Sequence, residues 1–222
     1  MSTQTFLHRP PPVAVKSRAS GKADQSASRA RVQEAAVRLY RRIGPKKTTV
    51  ADIARELSMS PANVYRFFAS KQAIEEAVAE ELLNKVVAAA VDAASRSGPV
   101  TARLQAVLQA VEQQHKSSAE NDSKLYGLVV SAMRENWGAA AAYADCMDSI
   151  IAQVISEGQA SGEFQPRDSM VLARCLLSAT SAYLYPLVIP GSANFARPTL
   201  TQMIEFCADG LRAAPPLRHL AA

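Results

Sequence analysis

Between residues 46 and 71 the chain gathers side chains suited to a polyanion and to base edges: Lys46, Lys47, Thr48, Thr49, Ser60, Asn63, Tyr65, Arg66 and Lys71. Cationic groups neutralise phosphates, hydroxyls donate to phosphate oxygens, and an amide or guanidinium pairs bidentately with adenine or guanine. Outside this stretch little points to catalysis. His8 and His219 lie in the tails, which leaves His115 as the one histidine placed for acid/base work, and no partner for it is evident by spacing. The signatures G-x-x-x-x-G-K-[ST], H-E-x-x-H, G-x-S-x-G and G-x-G-x-x-G are absent, so a non-enzyme is expected. Cys146, Cys175 and Cys207 are odd in number, far apart and without a C-x-x-C pair, which argues against a disulfide framework or zinc cage and for a reducing cytosol. Lone cysteines on apolar faces behave as small hydrophobes, and neither metal nor cofactor is expected.

With 222 residues, 48% hydrophobic and 20% charged, the chain can bury a sizeable core in one or two domains. Its net charge of +5 conceals a split: residues 1–75 hold 14 Lys and Arg against 5 Asp and Glu, while residues 76–222 hold 11 against 15. A basic first third suits an anionic polymer or surface, nucleic acid or membrane. Spanning a membrane is a separate matter. The longest charge-free stretch, Cys175–Ala196, is broken by Pro186, Pro190 and Gly191 before it reaches the roughly 20 apolar residues a bilayer helix needs. Arg9 and Pro10, Pro11 and Pro12 interrupt the N-terminus before a signal sequence develops, so the protein is expected to stay in the cytoplasm.

Residues 1–27 lack apolar periodicity and read as a disordered basic arm. From Ser28, Val32, Ala35, Ala36, Leu39, Tyr40 and Ile43 recur at helical spacing until Gly44-Pro45 stops them. Thr49 with Asp52 three residues on starts a second helix, Ser58-Met59 reads as a turn, and Ser60-Pro61 opens a third helix to about Phe67. Ser70 caps a longer fourth helix whose inward face is Ile74, Ala77, Val78, Leu82, Val86 and Ala89. Apolar faces continue at Leu104–Val111, Leu125–Met133 and Met147–Ile155, and two last helices span roughly 168–187 and 199–213 around a Pro190-Gly191 loop. No period-2 strand is found, so the fold class is all-α with about nine helices: an N-terminal helix-turn-helix domain over 28–75 and a helical domain over 76–222.

Two short helices joined by a three-residue turn, inside a basic segment and behind a supporting helix, are the layout of a helix-turn-helix DNA reader. These residues also resemble the TetR-type transcriptional regulators, through Gly44, Thr48-Thr49-Val50, Ile53-Ala54, Ser60, Tyr65-Arg66-Phe67-Phe68 and Ser70-Lys71. The resemblance is strong over about residues 28–75; beyond them only helix number, helix length and the Ser161-Gly162-Glu163-Phe164 turn match. Where the family usually has Gly in the turn this chain has Ser58, and where it often has His before the last aromatic it has Phe67.

Helix geometry assigns the individual roles. If Pro61 opens the recognition helix, Ala62 and Asn63 project from its first turn, Asn63 toward adenine and Ala62 toward a thymine methyl. Tyr65 suits a phosphate, Arg66 a phosphate or guanine, Lys71 a phosphate at the start of the fourth helix, and Lys46, Lys47, Thr48 and Thr49 the backbone. Capping alone also explains Ser60 and Thr49; Val64, Phe67 and Phe68 read as core; Arg29, Arg31, Arg41 and Arg42 read mostly as a solvated face.

Such readers work as pairs on two-fold operators. The stripes Ala173, Leu176, Leu177, Thr180, Ser181, Leu184 and Met203, Ile204, Cys207, Leu211 are the expected homodimer seam, an intramolecular core being the competing reading. The resemblance implies a small hydrophobic inducer that releases a repressor from double-stranded DNA. Candidates to line its pocket are Tyr126, Met133, Trp137, Tyr143 and Met147, with His115, Arg134, Glu135 and Asn136 as polar anchors. A non-enzymatic helical scaffold whose basic end meets acidic partners is the alternative, and it would show no sequence-selective duplex binding.

Overall fold

The computed structural model describes residues 18–185 and 198–212. Nine α-helices follow one another there: α1 (Arg18–Ile43), α2 (Val50–Glu56), α3 (Pro61–Tyr65), α4 (Lys71–Ala94), α5 (Val100–Asn121), α6 (Ser123–Arg134), α7 (Gly138–Ala160), α8 (Ser169–Leu184) and α9 (Leu200–Leu211). A single 3-10 turn, Pro45–Lys47, joins α1 to α2. The described residues contain no strand beyond an isolated bridge between Phe164 and Arg212, and none of their helices is long and apolar enough to cross a membrane.

The stop and start signals act where the sequence places them. Gly44 takes φ +89°, beyond the reach of most side chains, and turns the chain out of α1. Thr49 and Asp52 form a reciprocal capping box on α2, and Ser60 and Ser70 accept hydrogen bonds from the backbone of Asn63 and Ala73. Glu163, from the turn after α7, caps α5: its carboxylate accepts from the backbone N–H groups of Val100 and Thr101, both at 3.0 Å, where the N-cap Pro99 has no side-chain acceptor to offer.

Several boundaries differ from the sequence reading. α1 begins at Arg18, ten residues before Ser28; these residues lack an apolar face, but their Ala, Lys, Arg and Gln extend a helix already nucleated downstream. α3 ends at Tyr65, because Phe68 must turn back into the core, where it is buried. The inward face of α4 runs through Leu83 and Ala90 instead of Leu82 and Ala89, which are only partly covered. α8 ends at Leu184; the Pro190-Gly191 loop, Leu187, Ala213, the two terminal histidines and most of the expected arm lie outside the described residues.

Two cores result, and α4 belongs to both. Ile74, Ala77, Val78 and Ala79 pack with Val32, Leu39, Tyr40, Ile53 and Val64 of the first three helices, with Phe68 just after them, and with Leu125, Leu128 and Ala132 of α6. Leu83, Val86, Ala90 and Ala93 pack instead with α5, α7, α8 and α9 around Leu108, Met147, Ile151 and Ile155. Gly158 lets the Phe164 ring lie against α7, since a Cβ there would meet the ring at 2.5 Å.

One residue of the turn between α2 and α3 stores strain. Ser58 sits at φ +53°, a left-handed position that costs an L-residue about 1 kcal/mol more than glycine. Ser58→Gly is expected to stabilise the protein by about that amount, read as a higher urea midpoint at unchanged slope; an equal or lower midpoint would show that the surrounding turn relieves the strain.

Candidate nucleic-acid interface and effector cavity

α3 has only five residues, too few to hold itself together in water. Its position comes from Val64 and Phe68, both buried, and from Arg29 of α1. Arg29 donates to the Phe67 carbonyl at 2.8 Å and lays its guanidinium 4.0 Å from the Phe68 ring centroid. Arg29 stays exposed, as its place on a solvated face implies, and is also the clamp on the end of α3, a role that no local pattern signals.

With that face anchored, the opposite one is open. Pro61, Ala62, Tyr65 and Arg66 are exposed, Tyr65 by 51%, and Asn63 is half-buried with its Oδ1 accepting from Arg66 at 3.4 Å. Ser60 and Thr49 are exposed but engaged as caps, Thr49 also donating its hydroxyl to Asp52 at 2.6 Å. That hydrogen bond and the Thr49 backbone N–H hold the Asp52 carboxyl below its usual range.

The 3-10 turn presents Lys46 and Lys47 to solvent. Thr48 faces the other way: it is buried, and its hydroxyl donates to the Gly44 carbonyl at 2.8 Å, which withdraws it from any backbone contact. Lys71 donates to the Pro45 carbonyl at 2.7 Å and pairs with Glu75 at 3.3 Å, so it ties the start of α4 to the 3-10 turn before it meets anything else. Arg41 pairs with Asp122 at 2.6 Å, and Lys124 donates to the Arg42 carbonyl at 2.8 Å; both contacts fasten α1 to the start of α6.

In the larger core, three of the expected pocket residues meet. His115 is 1% exposed; its Nδ1 lies 3.0 Å from the Tyr126 hydroxyl and its Nε2 lies 3.1 Å from that of Tyr143, which in turn lies 3.3 Å from the hydroxyl of Tyr185. Burial holds the His115 pKa down at about 4, pushes Tyr126 up to about 12 and raises Tyr143 and Tyr185 as well. Tyr185, which the sequence reading missed, sits in a charge-free run that signals only a helix end. Beside this chain opens a cavity of about 250 Å³ lined by Met133, Asn136, Tyr143, Tyr185 and three alanines of α7.

The remaining pocket candidates lie elsewhere. Met147 is fully buried core. Trp137 caps the start of α7, donates to Glu135 at 3.0 Å and packs against the smaller core; Arg134 is exposed. Next to Trp137, Glu76 of α4 accepts from the backbone of Ala139 at 3.3 Å, and Gly138 gives it room, because a Cβ there would stand 2.9 Å from the carboxylate.

Most of the expected seam is also redirected. Ala173, Leu176, Thr180, Leu184, Ile204 and Leu211 are buried inside the protomer, and Leu177, Ser181, Met203 and Cys207 are partly covered. What α8 and α9 turn outward instead is Val171, 54% exposed, and Phe206, 76% exposed, with Cys175, Ser178 and Ala179 along the same helix as Val171. Apolar stripes too wide for one face serve two, and spacing alone cannot tell which side meets the protomer's own core.

Residues 33–78 match the family model of bacterial regulatory proteins of the tetR family, and residues 100–202 match that of the tetracyclin repressor-like C-terminal domain. Among solved structures, a bacterial regulatory protein of the tetR family from Rhodococcus RHA1 is 22% identical over 84% of this chain and 98% of its own, with a TM-score of 0.54. RolR in complex with resorcinol is 15% identical over 86% and 90%, with a TM-score of 0.59. AibR in complex with isovaleryl coenzyme A and operator DNA is 17% identical over 83% and 97%, with a TM-score of 0.50. These identities establish a shared fold. Among curated proteins the sequence finds no significant match.

The neutral His115 links stability to pH. Unfolded, the imidazole takes a proton near pH 6.5; folded, it resists until about pH 4, so stability present above the unfolded value is lost as pH falls through that window. From pH 7 to pH 5 the expected loss is about 2 kcal/mol, and His115→Gln should remove that part of the slope in denaturant titrations. Equal slopes in both proteins would place the titrating group elsewhere.

Proposed function

Because the chain belongs to the TetR family of bacterial transcriptional regulators, we propose that it is a repressor that holds two operator half-sites as a homodimer and releases them when a small molecule fills the cavity beside Tyr143. The observation that carries this reading is the division of α3 into a buried anchoring face and an exposed face of Pro61, Ala62, Tyr65 and Arg66 beside half-buried Asn63. An exposed short helix behind a supporting helix is the part of a helix-turn-helix that enters the major groove.

In this reading Asn63 and Ala62 meet base edges, Tyr65 and Arg66 meet phosphate or a guanine edge, and Lys46 and Lys47 clamp the backbone. Ser60 and Thr49 set the helix starts. Lys71 keeps the 3-10 turn against α4 and adds charge where free backbone N–H groups favour a phosphate. As a member of this family it is a DNA-binding protein rather than an enzyme, and in this reading it acts in the cytoplasm, where operators are. Its partner copy covers Val171 and Phe206, which would otherwise stay wet.

Release travels through Glu76. The first turns of α7 carry cavity residues Ala140, Ala141, Tyr143 and Ala144, and the backbone of the same segment is bonded to Glu76 on α4. A molecule that moves this segment drags α4, and α4 carries the DNA-facing helices, so the spacing of the two recognition helices changes. A complete switch needs the effector to prefer the released state by about 5.5 kcal/mol. The RolR and AibR structures with resorcinol and isovaleryl coenzyme A show that proteins of this fold bind small molecules.

Selection from a randomised duplex pool tests the reading. A two-fold sequence should emerge from the wild-type protein. Asn63→Ala should relax preference at one position of each half-site, and Lys46→Ala should weaken all duplexes alike while lowering the salt slope by about one. Recovery of no preferred sequence would instead favour a scaffold with a basic end.

A further inference from the structure

We propose that the cavity between α6, α7 and the end of α8 binds a small uncharged molecule, about one ring in size, that presents a hydroxyl or carbonyl group to Tyr185. Its regulatory meaning rests on the repressor reading above, whereas its binding does not.

Size sets the first limit. A volume of about 250 Å³ exceeds the roughly 150 Å³ that holds a benzene molecule and falls short of the roughly 300 Å³ where drug-sized pockets begin. A single substituted ring matches that volume.

Charge sets the second. None of the seven lining residues is ionisable at neutral pH apart from the two tyrosines, and burial keeps both phenols protonated. The nearby Asp148 carboxylate is already matched by Arg174 at 2.7 Å. An anion or cation would therefore find no counter-charge among the lining residues.

The hydrogen-bonded chain sets the third. A neutral imidazole has one N–H donor and one acceptor nitrogen. If Tyr126 donates to Nδ1, then Nε2–H donates to Tyr143, Tyr143 donates to Tyr185, and the Tyr185 proton is left to give. If the tautomer is reversed, each hydrogen bond reverses, and Tyr185 ends the chain with lone pairs to offer. Of the two ends of the chain, Tyr126 and Tyr185, the one on the cavity wall in both directions is Tyr185. A hydroxyl matches both directions and a carbonyl matches the first, while a purely apolar guest leaves the chain end unmet.

Calorimetric titration of the full chain with 3-ethylphenol, ethylbenzene and benzoate separates these requirements. The phenol should bind about tenfold more tightly than ethylbenzene and at least about tenfold more tightly than benzoate. Tyr185→Phe should lower the phenol to the ethylbenzene level and leave ethylbenzene unchanged. Ala144→Leu, placed at the exposed rim of the cavity, should abolish binding of both while the fold persists. The proposal is overturned if benzoate matches the phenol, if the phenol fails to bind at millimolar concentration, or if its binding survives Ala144→Leu. A second measurement keeps the two readings apart, using a duplex recovered from the pool selection. Phenol binding without release of that duplex would uphold the ligand class and remove the repressor switch. Intact duplex binding with no phenol binding would do the reverse.

Discussion

The structure depends on one helix being shared by two cores. α4 places Ile74, Ala77 and Val78 among the helices of the helix-turn-helix, and Leu83, Val86, Ala90 and Ala93 among those of the larger core. A continuous helix cannot be deformed cheaply, because its backbone hydrogen bonds and close-packed side chains resist bending. Its two halves are therefore parts of one stiff element packed into both cores. Glu76, bonded to the start of α7, lies near the place where the buried face of α4 passes from one core to the other.

Burying a histidine among tyrosines costs desolvation, and the cost is kept small because both ring nitrogens are paired. Every polar atom along Tyr126, His115, Tyr143 and Tyr185 has a neighbour within hydrogen-bond distance. A fully connected network of this kind fixes rotamers and so defines a cavity wall, whereas a partly connected one would loosen it. Tyr40, in the smaller core, supplies the contrast: its buried hydroxyl has no partner among the described residues, and burial raises its pKa further than that of Tyr126.

The helix-turn-helix is held by contacts that no short window contains. Arg29 reaches the Phe67 carbonyl across 38 residues, Lys71 reaches Pro45 across 26, and Lys124 reaches Arg42 across 82. Each is a cation on a carbonyl oxygen, so charges that look available to an anionic partner in the sequence are partly engaged in assembling the surface that meets it.

The sequence by itself determined most of the helix caps and the helix-turn-helix layout, because caps, prolines and apolar periodicity act within three or four residues. It also marked Ser58 as a departure from the glycine usual in that turn. Tertiary structure alone decided that Thr48 faces inward, that Lys71 and Arg29 fasten the reading head, that Tyr185 completes the polar chain and that the inner stripe of α8 and α9 belongs to the protomer. Those outcomes depend on which face of a helix meets which neighbour, and a helical repeat leaves that choice open until distant segments pack.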